Sequence, residues 1–490
     1  MSRPEAPGAH DDDASRQPDA AHPAAQDPRG LARQILALAI PALGALVAEP
    51  LFLLADTAII GRLGVAELAG AALGVTVMHT VTGIMIFLAY STTPAVARFV
   101  GAGRMAKALA AGRDGLWLAL ILGAALALAG LAFGEQLLTA MGSGGEIHPH
   151  AVDYLLWSLP GVPAILLVFA AVGMLRGLQD TKTPLVVAAA GFTANALLNL
   201  ILVHPVGLGV AGAAIGTSIA QWGMAAVYLA ILIPRMRAHQ VPLGAEPQAL
   251  RRAAGVGSWM MLRTVTLRAA IVATVLVATD LGPETLAAHQ VAFTIFSTLA
   301  FVLDALAIAA QALIGRELGA SRLERAKQMT RTMIIWGLGF GVITGVVTAA
   351  LAPWAPRLFT PDPQVAAGIT AALLVMAVAQ PLASYVFVLD GVLMGAGDVR
   401  YLALAGLVNL AIYLPVLWWV AAAQPGGDFL CGSGRILPSA VCSDVAGEAT
   451  GLGTIMWLWV AFAVVFMGAR ALSLGVRTAT GRWMVLGEAR

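Results

Sequence analysis

Arg98-Phe99-Val100-Gly101-Ala102-Gly103-Arg104 and Arg316-Glu317-Leu318-Gly319-Ala320-Ser321-Arg322 are two versions of one phrase, set 218 residues apart. The same offset lays Leu63-Gly64 on Leu281-Gly282 and Leu68-Ala69 on Leu286-Ala287. It lays Gly123 on Gly341, Pro163 on Pro381, Val168-Phe169 on Val386-Phe387 and Gly173 on Gly391. Gly177 and Asp180 fall on Gly395 and Asp398, with Lys182 opposite Arg400. Alanine-rich segments match by accident, but charged and glycine positions do not do so repeatedly at one spacing. The chain is a duplication.

What is duplicated is a set of membrane spans. Hydrophobic residues make up 59% of the 490 and charged residues 11%, where a soluble fold carries about a quarter charged. Mean hydropathy is +0.83. A helix needs roughly 20 residues to cross the ~30 Å hydrocarbon core. Such runs lie near 35–60, 69–95, 115–133, 152–175, 184–203 and 209–233. The second set lies near 254–279, 286–314, 332–353, 366–392, 402–423 and 452–469. Six spans per copy is an even number, so both copies point the same way, related by an axis along the membrane normal. The expected fold is an all-α polytopic membrane protein of 12 transmembrane helices, in two six-helix parallel-repeat lobes around a central cavity. The lobes are 29–233 and 254–483, joined by a linker at 234–253. Residues 1–28, with Asp11-Asp12-Asp13 and no apolar period, read as a disordered tail. Residues 484–490 form a C-terminal tail, and no cleavable leader is expected.

The net charge of +2 matters less than its placement. With the N-terminus in the cytoplasm, 24 of the 29 Lys and Arg fall on the cytoplasmic side. Arg62, Arg357 and Arg435 fall outside, and Arg263 and Arg268 lie within a span. The positive-inside rule therefore predicts both termini in the cytoplasm. The insert at about 424–450 is then extracytoplasmic, and its Cys431 and Cys442 form a disulfide closing a short loop or remain two free thiols. Two cysteines do not make a zinc site, which takes four ligands.

Asp56-Thr57-Ala58-Ile59-Ile60-Gly61-Arg62-Leu63-Gly64 resembles the end of the first span in multidrug and toxic compound extrusion (MATE) transporters. Arg176-Gly177-Leu178-Gln179-Asp180-Thr181-Lys182-Thr183-Pro184 resembles their link between spans four and five. Leu303-Asp304-Ala305-Leu306-Ala307 with Gly315 and Gly319-Ala320, and the pattern from Trp457 through Arg470 to Arg482-Trp483, are similar to the DinF-like branch. The resemblance runs from about 33 to 483. It implies export of cationic or amphipathic compounds in exchange for protons or sodium.

An ionisable side chain in mid-span costs about 2.5–3.5 kcal/mol on the insertion scale, so each one needs a reason. The candidates are Glu49, Asp56, His79, Arg263, Arg268, Asp304 and Asp390. Glu49 and Asp56 stand two helical turns apart on one face, roughly 10 Å from each other. Pro41 and Pro50 remove backbone donors and make the first span bendable. Asp56 matches the aspartate to which the resemblance assigns proton coupling. Otherwise it is a hydrated or paired residue near a span end. Glu49 is a proton relay or the partner of Arg263 or Arg268. Asp304 and Asp390 either couple or tie helices to polar neighbours. His79 suits a proton switch or simply packs.

In several relatives the fifth span ends with an Asp after an Asn. Here Asn195 and Asn199 are followed by Leu200-Ile201-Leu202-Val203-His204-Pro205, so coupling is expected to fall on Asp56 with Glu49, and protons are favoured over sodium. Asp180 and Asp398 are expected to cap the next helix or pair across a gate. Phe52, Met78, Met85, Met174, Met260, Phe293 and Phe296 are candidates for an adaptable pocket or packing filler.

Gly207-Leu208-Gly209-Val210-Ala211-Gly212 spells a dinucleotide motif, but it opens a span, where glycine permits close helix contact. The sequence contains no phosphate-loop lysine motif, HExxH or GxSxG. The leading expectation is a monomeric secondary antiporter in a bacterial inner membrane. It uses a proton gradient and no cofactor, with small organic substrates and lipid as partners and no nucleic acid. A flippase for lipid-linked precursors is the alternative, although only Arg263 and Arg268 qualify as cavity cations for its headgroup. A membrane-embedded enzyme lacks a nucleophile.

Overall fold

The computed structural model describes residues 28–423 and 449–487, apart from the side chains of 28, 29, 49, 51, 54 and 449–452. The N-terminal tail, Cys431, Cys442 and the Glu49 side chain therefore lie outside the described residues. The first repeat comprises α1 (Pro28–Ile60), α2 (Val65–Met85), α3 (Phe87–Gly101), α4 (Met105–Ala140), α5 (Ile147–Ser158), α6 (Val162–Gly177), α7 (Lys182–Val203) and α8 (Gly209–Ala238). The second comprises α9 (Pro247–Asp280), α10 (Pro283–Gly319), α11 (Leu323–Leu351), α12 (Pro363–Gly395), α13 (Val399–Ala423), α14 (Ala449–Trp459) and α15 (Met467–Ala479). α2 and α3 form one span broken at Ile86, a 3-10 turn joins α5 to α6, and a π segment, Val460–Phe466, joins α14 to α15. The described helices make 12 candidate spans. Many outward side chains are apolar: Leu128, Phe133, Val378 and Leu472 are exposed, as lipid requires and water would penalise.

The offset of the sequence reappears in the backbone. α10 begins 218 residues after α2 begins and ends 218 after α3 ends, and α12 ends 218 after α6. The turn after α3 puts Gly103 at φ 72°, and the matching turn after α10 puts Ser321 at φ 57°. Gln179 at φ 67° corresponds likewise to Gly397 at φ 71°. A left-handed position costs a residue with a Cβ about 1–2 kcal/mol, so the turn shape has outlasted the glycine in one copy of each pair.

Twelve spans bring both described ends of the chain to one side, and there the repeats cross. A Cβ on Gly101 would overlap the carbonyl oxygen of Arg316, and one on Gly319 would overlap that of Arg98. These are reciprocal contacts across a two-fold axis, and they explain why the phrase at 98–104 is preserved at 316–322. The crossing is latched by Arg98, which donates to the Ala396 carbonyl at 2.8 Å, and by Gln179, which donates to that of Ala312 at 2.9 Å. Beside it Glu317, fully buried, is ringed by Arg316 at 2.9 Å, Arg322 at 3.7 Å and Arg325 at 3.8 Å.

Candidate functional site

A cavity of about 220 Å³ opens inside the first repeat, walled by α1, α2, α3, α5, α6, α7 and α8. The sequence led us to expect a cavity between the lobes; the walls of this one all come from residues 45–228. Phe52 and Phe192 stack on its side with ring centroids 5.2 Å apart, and Met78 and Phe169 add adaptable apolar surface. Asp56, His79 and Arg176 bring polar chemistry to it.

Asp56 is 5% exposed and sits near the end of α1 farthest from the termini. Asn199 of α7 donates its side-chain N–H to the Asp56 carboxylate at 2.6 Å and lies 3.5 Å from the Thr217 hydroxyl of α8. Asn195, one turn earlier on α7, is equally buried. Among the described residues no Lys, Arg or His lies within ion-pair distance of Asp56. A buried carboxylate without a cation is expensive unless it takes a proton or a cationic ligand. Pro41 and Pro50 both lie inside α1, where each removes a backbone hydrogen bond and leaves the helix bearing Asp56 free to bend.

The other candidates group elsewhere. Arg263 of α9 forms a buried, doubly hydrogen-bonded pair with Asp390 of α12, and Arg470 of α15 reaches the same carboxylate at 3.3 Å. Arg263 is thus committed to Asp390. Arg268 is exposed on α9, its guanidinium against Gly83 of α2. Asp304 of α10 has no direct hydrogen bond or ion pair among the described residues. Asp180 accepts from the Thr183 backbone N–H at 3.0 Å and hydroxyl at 2.7 Å, tying the first turn of α7. Asp398 pairs with Arg477 at 2.6 Å, while Arg400 lies over the Trp259 ring at 5.6 Å.

The structure adds surroundings that the sequence does not give. Arg176 and Arg470, counted by sequence among the cytoplasmic-side cations, are buried as well, because packing against the opposite helices encloses the span ends that carry them. Neither Arg263 nor Arg268 lines the described cavity; its cation is Arg176. Of the proposed pocket residues, Met174 and Met260 are fully buried core. Phe293 and Phe296 belong to an aromatic cluster with Trp459 and Phe462 around His289. His289 and Glu317 went unremarked, although each is an ionisable residue in or beside a visible span.

A family model named MatE matches this chain twice, at residues 41–201 and 260–419, once in each repeat. The chain is 30% identical to the chloroplastic Protein DETOXIFICATION 44 of Arabidopsis thaliana, over 93% of this chain and 84% of that protein. It is 24% identical to the probable multidrug resistance protein NorM of Pasteurella multocida, over 90% and 94%. Its fold is similar to that of the Vibrio cholerae MATE transporter VcmN in the bent form, with TM-score 0.78 and 21% identity over 93% of this chain and 99% of that one. With both repeats matched and the helical scaffold shared, the chain belongs to the MatE family, the multidrug and toxic compound extrusion transporters.

Proposed function

We propose that this transporter exports organic cations and amphipathic compounds in exchange for protons, from the cytoplasm across a bacterial inner membrane, with both termini cytoplasmic. The observation that carries the reading is Asp56, a buried carboxylate on a cavity wall, held by one amide and matched by no cation among the described residues. Such a group holds either a proton or the cationic end of a substrate, and the two compete. Protonation removes the charge and lets α1 repack around its prolines; loss of the proton restores a site for the next cation. Inward movement of one proton supplies about 2.3 kcal/mol per 100 mV, enough to bias a rocking pair of lobes.

Protons are favoured over sodium because, among the described residues, no second carboxylate joins Asp56 on the cavity wall. Asp390, clasped by two arginines, serves to hold α9, α12 and α15 together. The test is Asp56→Asn in reconstituted vesicles. Loss of exchange with a normal melting temperature is expected, and wild-type transport by this variant would remove Asp56 from the mechanism.

A further inference from the structure

Past α15 the chain runs to the crossing of the repeats. Trp483 is buried and donates its ring N–H to the Thr478 carbonyl at 3.1 Å, which anchors the turn against the last span. Met484 packs on the core beside it. Farther on, Gly487 hydrogen-bonds to both repeats. Its N–H donates to the Leu318 carbonyl at 3.0 Å, in the last turn of α10. Its carbonyl accepts from Arg98 Nη1 at 3.2 Å, in the last turn of α3. Arg98 and Leu318 stand beside Gly101 and Gly319, the glycines that meet the opposite backbones. One residue of the tail thus ties the two repeats at the point where they touch.

The two-fold symmetry of the crossing is broken at this point. Arg98 and Arg316 are equivalent in the duplication. Arg98 turns to the Ala396 and Gly487 carbonyls, whereas Arg316 turns to Glu317 of its own helix at 2.9 Å. A chain has one C-terminus, so such a segment can fill only one of two related positions. The last carbonyls of a helix lack intrahelical partners, and the tail supplies an N–H to one of them. Rocking of the lobes requires α3 and α10 to part here, and the two bonds of Gly487 cannot both survive that parting. We propose that residues 484–487 are a strap that holds the repeats together on the side of the termini and must release one of them before the cavity opens there. The inference rests on the exchange reading above and adds a brake to it. Packing within one repeat would not act this way, because it does not span the surface that separates.

The test compares the full chain with a chain ending at Trp483 and with Gly487→Val. Each carries nitroxide labels on Ala106→Cys and Glu324→Cys, after Cys431 and Cys442 are replaced by serine. Ala106 and Glu324 are equivalent exposed positions in the first turns of α4 and α11, one in each repeat. Gly487 has φ 85° with open space where a Cβ would sit, so Gly487→Val disturbs the left-handed turn rather than the packing. Label distances are read by pulsed electron paramagnetic resonance on the purified protein, with a melting curve to establish that each variant is folded. Two hydrogen bonds correspond to about a tenfold change in an equilibrium. The chain ending at Trp483 should therefore raise the ratio of parted to closed molecules about tenfold, and Gly487→Val should raise it less. A ratio that neither folded variant changes overturns the inference. Proton-driven efflux by the same proteins separates the two readings. An unchanged ratio with efflux intact removes the strap and leaves exchange standing, whereas labels that never part in any variant, together with no efflux, remove both.

Discussion

The two repeats share a scaffold and differ in what they enclose. In the first, Ala45, Ile86 and Val172 line an open chamber. In the second, the positions 218 residues later are Arg263, Asp304 and Asp390, and that space holds an ion cluster. The coupling candidate diverges in the same way. Opposite Asp56 stands Thr274, and opposite Asn195 stands Tyr413, and those two hydroxyls lie 2.7 Å apart in a neutral hydrogen bond. Glycines at helix crossings are kept in both copies because backbone contact tolerates no Cβ there, whereas interior side chains were free to specialise. Among the described residues, one half became a chamber with a single carboxylate on its wall and the other a strut.

Three substitutions probe that division. The largest effect is expected from Asp390→Ala, which strands Arg263 and Arg470 without their carboxylate. Removing one partner of a buried ion pair costs about 3–5 kcal/mol, read as a lowered unfolding midpoint in detergent. A midpoint within error of wild type would mean that the cluster is no strut. Asp180→Ala removes the side chain that ties the start of α7 and should cost about 0.5–2 kcal/mol. Full stability in that variant would show the Thr183 contacts to be incidental. The smallest effect belongs to Thr274→Val, which loses the bond to Tyr413 and about 1 kcal/mol, with transport retained. Transport loss as severe as that of Asp56→Asn would show that both repeats carry coupling.

Much of this was legible in the sequence because the duplication is written in glycines and charges that recur at one spacing. Span count, the kinking prolines of α1, and Asp56 with Asn199 were named from residues alone. Their hydrogen bond was not, since Asp56 and Asn199 lie 143 positions apart along the chain. The burial of Arg176 and Arg470 was not legible, because counting along a helix gives depth but not what covers it. The break at Ile86 carries no proline or glycine of its own to announce it. Arg470 follows a π segment, which inserts an extra residue per turn and so changes the face on which later side chains project; that rotation has no sequence signature.

The central claim, exchange of a substrate for protons, is tested most directly in proteoliposomes loaded with an organic cation under an imposed inward pH gradient, with and without sodium. The account predicts efflux driven by the pH gradient in the absence of sodium. Efflux that requires sodium, or that ignores both ions, would contradict it.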